Sequence, residues 1–158
     1  MIDIFNRVLL LKHGEVFSQV STENLKVVAG ELIVEDYLKG ERVFDLNDHS
    51  DKMYIIGQGK VGISLNKDPE LKSYFNVLGP GECFGEMGII DDLPRSATVH
   101  VVENTTLLVL EKSRFIGLIS RYPELAMGIM RSISARLRKT TDKLRRYEPE
   151  ETSVEQDS

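Results

Sequence analysis

A chain of 158 residues, 41% hydrophobic and 28% charged, amounts to one globular domain and is long enough to bury a core. It has no run near the ~20 consecutive apolar residues of a membrane span, the early apolar run Val8 to Leu11 is shorter than a signal-peptide core, and the single cysteine, Cys83, excludes an internal disulfide. A net charge of −5 argues against broad nucleic-acid binding by the domain as a whole, and the expected setting is cytoplasmic.

Residues 4–14 predict a short helix with Ile4, Val8 and Leu11 on one stripe. Ser21 is placed to cap a second helix, with Glu23 in the first turn where the dipole favours an acid. The capping box is partial, because Asn24 stands where Glu or Gln would complete it. Leu25, Val28 and Ala29 follow on one helical face. From about 32 to 110 the runs LIVEDYL, RVFDL, MYIIG, KVGISL, SYFNVL, ATVHVV and TTLLVL are separated by turn residues. Seven or so strands at roughly ten-residue spacing predict an antiparallel sandwich or barrel.

Helical periodicity returns at Ser113: SRFIGLISRY forms one helix, and Pro123 opens another that runs to about 147. Within it, positions 126, 130, 133, 137, 140 and 144 step alternately by four and three, a heptad seam interrupted by Thr140. The seam either pairs two chains as a homodimer or meets a partner domain, or Ala126, Met130 and Ile133 pack on the β domain and the rest is solvated. Residues 136–146 carry six basic groups against one acid, and 148–158 carry five acids and no base. They read as a solvated helix face followed by an acidic, disordered tail, so the domain is 1–147 and the tail 148–158.

The segment GPGECFGEMGIIDDLPRSATV, residues 79–99, interrupts the β pattern without alternating like a strand. Gly85 lets backbone approach a ligand, and EMGII can form one helical turn whose unpaired N–H groups attract an anion. Arg95 follows nine residues after Glu86, with a planar guanidinium suited to phosphate, and Ser96 adds a hydroxyl. Ionised Glu86 only accepts hydrogen bonds, so a ribose 2′-OH is a natural partner. One anion site beside one hydroxyl acceptor describes a nucleotide whose single phosphate lies close to its sugar.

The run FGEMGIIDDLPRSATV, from Phe84 to Val99, resembles the phosphate-binding cassette of the cyclic-nucleotide-binding family, which includes catabolite activator protein and protein kinase A regulatory subunits. The family pattern is close to FGE, Leu or Met, Ala or Gly, and later P-R-x-A-T, and its length is matched without a gap. Tyr37 to Phe44 (YLKGERVF), Asp48, Asp51 to Ile56 (DKMYII) and Gly59 to Val61 are also similar to it, as are VFSQVSTENLKVVA and RFIGLISRYPELA; the likeness covers roughly 8–140.

The resemblance implies an α+β fold, a jelly-roll-like antiparallel β-roll with N-terminal helices and two C-terminal helices. It implies a ligand, cAMP or cGMP, and no other cofactor. Glu86 would hold the ribose 2′-OH and Arg95 the exocyclic phosphate oxygens, with backbone around Gly85 to Met87 and Ser96 to Ala97 completing the cradle beside Phe84. Asn47 and Ser50 depart from the family, replacing glycines in a turn; Asn tolerates a positive φ, and neither residue is expected to touch the cassette. In the family, Ala after the cassette arginine often accompanies cAMP selectivity and Thr cGMP selectivity. Ser96 lies between; the catabolite activator also has Ser there and answers to cAMP, so cAMP is favoured.

Other signals carry less. Gly57, Gly59 and Gly62 (GQGKVG) match a dinucleotide fingerprint, but a strand follows instead of a helix, so a β-turn is the better account. His13, His49 and His100 have no metal-ligand spacing. Cys83 reads as a small buried hydrophobe, and Asp91-Asp92 as a turn cap. No catalytic constellation emerges, so the reading is not an enzyme. A sensor module, the sensor part of a larger transcription regulator, and a ligand-free interaction β-roll remain as classes. No nucleic-acid partner is expected for this chain by itself, since in the resembled regulators the helix-turn-helix that reads DNA follows the long helix.

Overall fold

Two helices open the chain, each started by a side chain that satisfies an orphan backbone donor. In the computed structural model, which describes residues 2–65 and 73–147, Asp3 Oδ1 accepts from the Asn6 N–H at 2.8 Å at the head of α1 (Ile4–His13). Ser21 Oγ accepts from the Asn24 N–H at 3.3 Å at the head of α2 (Thr22–Glu31), as its position in the sequence predicts. Val8 and Leu11 of α1 are buried, but Ile4 is 52% exposed, because the core reaches the helix only beyond its first turn.

The strands follow as β1 (Ile33–Tyr37), β2 (Arg42–Phe44), β3 (Lys52–Gln58), β4 (Val61–Ser64), β5 (Asn76–Leu78) and β6 (Cys83–Phe84). A helical turn, α3 (Met87–Ile90), precedes β7 (Thr98–Val101) and β8 (Thr105–Glu111), and then come α4 (Lys112–Arg121) and α5 (Pro123–Arg145). The strands form two antiparallel sheets, ordered β1-β8-β3-β6 and β2-β7-β4-β5, which makes the domain the expected α+β β-roll.

The alternation of β3 and β8 divides the interior. Met53, Ile55, Leu108 and Leu110 join the helices in one core, whereas Tyr54, Ile56, Leu107 and Val109 face the inside of the roll. Both strands are therefore apolar on both faces, and their runs look continuous in sequence. Gly59 turns between β3 and β4 at φ +95°, which settles the glycine fingerprint as a β-turn.

Two strand expectations need correction. SYFNVL is a strand only over 76–78; Tyr74 instead lays its ring where a Gly62 Cβ would sit, 2.6 Å from that position, and tilts against His100. Cys83 and Phe84 form a strand where none is expected, pairing with Ile55 and Tyr54, and two residues are too few to show alternation.

In α5, Leu125, Gly128, Ile129 and Ser132 are buried, and the Ser132 hydroxyl accepts from the Gln19 N–H at 2.9 Å. The packed face is thus offset from the predicted seam. Met130, Leu137 and Leu144 are exposed, so Met130 does not pack on the β domain. The predicted tail, 148–158, lies outside the described residues, among which no helix is long and apolar enough to cross a membrane.

Candidate functional site

A cavity of about 650 Å³ opens on the segment 84–99, and Phe84, Gly85, Glu86, Met87, Arg95, Ser96 and Ala97 all line it. Three observations define its floor. The first is a cluster of rings: Tyr54 and Phe84 stack at 5.0 Å between centroids, and Phe44 lies 5.9 Å from Phe84. The second is Arg95, whose guanidinium carbon sits 4.0 Å above the Phe44 ring. The third is Gly85 at φ +75°, where a Cβ would come within 2.6 Å of Arg95 Nη1. Only a residue without a side chain leaves the guanidinium this position.

Arg95 is 5% exposed. Its Nη1 donates to the Gly85 carbonyl at 3.1 Å and its Nη2 to the Lys52 carbonyl at 2.7 Å, while its buried Nε has no hydrogen-bond partner within the protein. Burial pulls its pKa down; Tyr54 and the carboxylates of Asp51, Asp48 and Glu86 act in the opposite direction. A charged guanidinium is therefore desolvated and held by neutral carbonyls, with its Nε–H left over.

Glu86 does not pair with Arg95. Its Oε1 accepts from Arg136 Nη1 at 3.1 Å, across to α5. Met87 is 57% exposed at the rim, and Phe84 is buried beneath. The acids after α3 divide their roles. Asp91 Oδ1 accepts from the Leu93 N–H at 3.1 Å, closing the expected turn, while Asp92 pairs with Lys112. Lys112 Nζ also donates to the Asp91 carbonyl at 3.1 Å, so the first residue of α4 grips the C-terminal end of α3. Burial, with Glu86 nearby, pushes the Cys83 thiol up to about 12, which leaves it protonated at neutral pH and a poor nucleophile.

The turn that departs from the family does touch this segment. The Asn47 N–H donates to the Arg95 carbonyl at 2.8 Å, and the Arg95 N–H donates to the Asp48 carbonyl at 2.9 Å. Asn47 has φ 71°, the conformation asparagine tolerates. Ser50 is 3% exposed and lines the cavity against Gly88. The expectation that both lie clear of the cassette fails because antiparallel closure of the roll brings residues 46–48 onto 95–98, and packing of β3 against α3 brings Ser50 onto Gly88. Phe44, Ser50 and Arg136 are among the cavity residues that sequence reasoning misses. Phe44 lies inside a quoted family match, so its place beneath Arg95 had a signal; Arg136 had none beyond membership of a basic helix.

Comparisons with known proteins agree with this geometry. A family model described as cyclic nucleotide-binding domain matches residues 34–122. The cyclic AMP receptor protein of Thermus thermophilus is 30% identical over 81% of this chain and 59% of its own length. A cAMP-dependent protein kinase regulatory subunit of Debaryomyces hansenii is 33% identical over 73% of this chain and 25% of its own. Among solved structures, the N-terminal domain of a transcriptional regulator from Streptomyces coelicolor superposes with a TM-score of 0.74 at 26% identity, covering 85% of this chain and 93% of that one. The chain spans only about three fifths of the bacterial regulators it resembles.

Proposed function

The chain belongs to the cyclic nucleotide-binding domain family, and from that premise we propose that it binds cAMP in preference to cGMP and reports occupancy through α4 and α5. The observation that carries this reading is the buried Arg95 with its unpartnered Nε on the wall of the cavity. A phosphate supplies both the missing acceptor and the countercharge that neutral carbonyls lack. Glu86 then accepts the ribose 2′-OH, and backbone N–H groups of Gly85 to Met87, Ser96 and Ala97 surround the phosphate. Preference for cAMP rests on Ser96 and on the ligands named by the two relatives above. A ligand-free β-roll is disfavoured, since a purely structural arginine would have its donors satisfied.

Calorimetric titration with both nucleotides tests the reading. Micromolar or tighter binding of cAMP, with weaker cGMP, is expected; no heat from either at about 1 mM would overturn it, at a limit near 4 kcal/mol of binding free energy.

Coupling is supported by Lys112, which joins α4 directly to the carbonyl end of α3. Ligand should therefore change amide exchange in 113–140 as well as in 83–98, and a change confined to the cassette would remove α4 and α5 from the reading. Homodimer formation through the exposed Met130, Leu137 and Leu144 stripe is the accompanying proposal.

Glu86 gives a separate expectation. A charge-assisted hydrogen bond contributes about 1.5–3 kcal/mol, so 2′-deoxy-cAMP should bind at least about tenfold more weakly than cAMP. In Glu86→Gln that preference should shrink. Equal binding of both sugars by the unmutated chain would show that Glu86 is not the ribose acceptor.

A further inference from the structure

Ser50 is 3% exposed and lines the cavity, and its Oγ is buried with no hydrogen-bond partner among the described residues. The hydroxyl falls in the space that a side chain at Gly88 would take, and Arg95 Nη1 lies 3.4 Å from that same point. Ser50 therefore stands beside both α3 and the guanidinium. The resembled pattern has glycine at this position and so has no hydroxyl there. The backbone on either side of Ser50 is pinned. Before it, the Asn47 N–H donates to the Arg95 carbonyl and the Arg95 N–H to the Asp48 carbonyl. After it, the Asp51 carbonyl accepts from the Lys112 N–H at 2.8 Å, and the Lys52 carbonyl accepts from Arg95 Nη2 at 2.7 Å. Residues 47–52 thus wrap the arginine and hold the hydroxyl next to it.

A buried hydroxyl without a partner destabilises the fold that carries it, and native interiors almost always satisfy such groups. Chemistry narrows what can satisfy this one. A guanidinium only donates hydrogen bonds, the free oxygens of a phosphodiester only accept them, and a hydroxyl donates once and accepts twice. A serine can therefore stand between the two, taking a proton of Nη1 on its oxygen and giving its own proton to the phosphate. Nη1 has a second N–H to give, since its first goes to the Gly85 carbonyl. A cyclic phosphate presents two oxygens outside its ring, one for the Arg95 Nε–H and one for this hydroxyl.

We propose that Ser50 is a further phosphate-binding residue, whose hydroxyl links Arg95 Nη1 to the second exocyclic oxygen of the ligand. The proposal rests on Arg95 as the phosphate partner. The two exocyclic oxygens are then read by different groups, one by a cation directly and one through a neutral hydroxyl. Accepting from the guanidinium polarises the hydroxyl and makes it a stronger donor to the phosphate. Binding thus satisfies a group that the free protein keeps buried and unpaired, so stability of the free protein is given up for affinity.

The experiment is calorimetric titration of cAMP and its two phosphorothioate diastereomers into the unmutated chain, Ser50→Ala and Arg95→Ala, with thermal melts of the unliganded proteins. Each diastereomer puts sulfur, a weak hydrogen-bond acceptor, in place of one exocyclic oxygen. Ser50→Ala is expected to weaken cAMP about tenfold or more. It should also change the affinity ratio of the two diastereomers by about threefold or more, because only one of them keeps an oxygen facing residue 50. Unliganded Ser50→Ala should melt no lower than the unmutated chain, since it loses a hydroxyl without a partner and keeps its Cβ. A serine that merely packs would lose stability and affinity together and leave the ratio alone. Unchanged affinity for cAMP, or weaker binding at an unchanged diastereomer ratio, would overturn the proposal. Arg95→Ala separates the two failures. If it abolishes binding while Ser50→Ala keeps full affinity, the phosphate reading stands and Ser50 falls; if neither variant weakens binding, both readings fall.

Discussion

Arg95→Ala is expected to lower affinity for cAMP by about two to four decades while the chain remains folded. Removing one member of a buried, hydrogen-bonded charge pair costs about 3–5 kcal/mol, and each 1.4 kcal/mol is tenfold in affinity. Here the pair exists only with ligand present, because the unliganded guanidinium is held by the Gly85 and Lys52 carbonyls. Its loss from the free protein has two opposing parts. The variant gives up those bonds and the contact with the Phe44 ring, but it also removes a charge that is 5% exposed and costly to desolvate. The two partly cancel, which is why folding should survive what binding does not. Arg95→Lys should recover little, since an ammonium cannot bridge both carbonyls, cover the ring and still present a donor to phosphate. Circular dichroism melts alongside calorimetry separate the effects; a loss of less than about fivefold would mean Arg95 is not the phosphate partner.

The sequence makes the cassette legible because its chemistry is local. Gly85, Glu86 and Arg95 lie within eleven residues of one another, and the structure brings all three to one cavity wall. Helix starts were legible for the same reason: the Ser21 cap acts on a donor three residues away. What escaped is non-local. Ser50 meets Gly88 only because β3 and the cassette pack together, and Arg136 reaches Glu86 across fifty residues. Which face of α5 packs on the β domain escaped for a related reason. Apolar spacing identifies a stripe, but which face meets the core depends on Val20 and Gln19, which lie against Gly128 and Ser132. Met130 is apolar and exposed, while Ser132 is polar and buried because the Gln19 N–H satisfies it. Periodicity carries no information about such partners.

Gly88→Ala should destabilise the domain, and Ser50→Gly should rescue it. A Cβ built at Gly88 would lie 1.3 Å from Ser50 Oγ and 2.4 Å from Ser50 Cβ. Ser50 is 3% exposed in a turn bonded to the cassette backbone, so it has little room to withdraw. Overpacking of this kind costs about 1–3 kcal/mol, and in a chain of this length each kilocalorie shifts the melting temperature by about 2–4 °C. Gly88→Ala alone should therefore melt about 2–12 °C lower, and it should weaken cAMP binding because α3 must shift within the cradle. Ser50→Gly opens the space that the new methyl needs, at a backbone entropy cost of about 0.5–1 kcal/mol. The pattern that the chain resembles has this pairing, glycine at the turn position with alanine allowed at the cassette position. Serine and glycine here are the reverse arrangement of the same volume. The double variant should thus lie within about 1 kcal/mol of the unmutated chain, with a coupling energy of at least about 1 kcal/mol between the two sites. Additive losses in the double-mutant cycle would mean that the two positions are independent, and that the contact between turn and cassette does not set the position of α3.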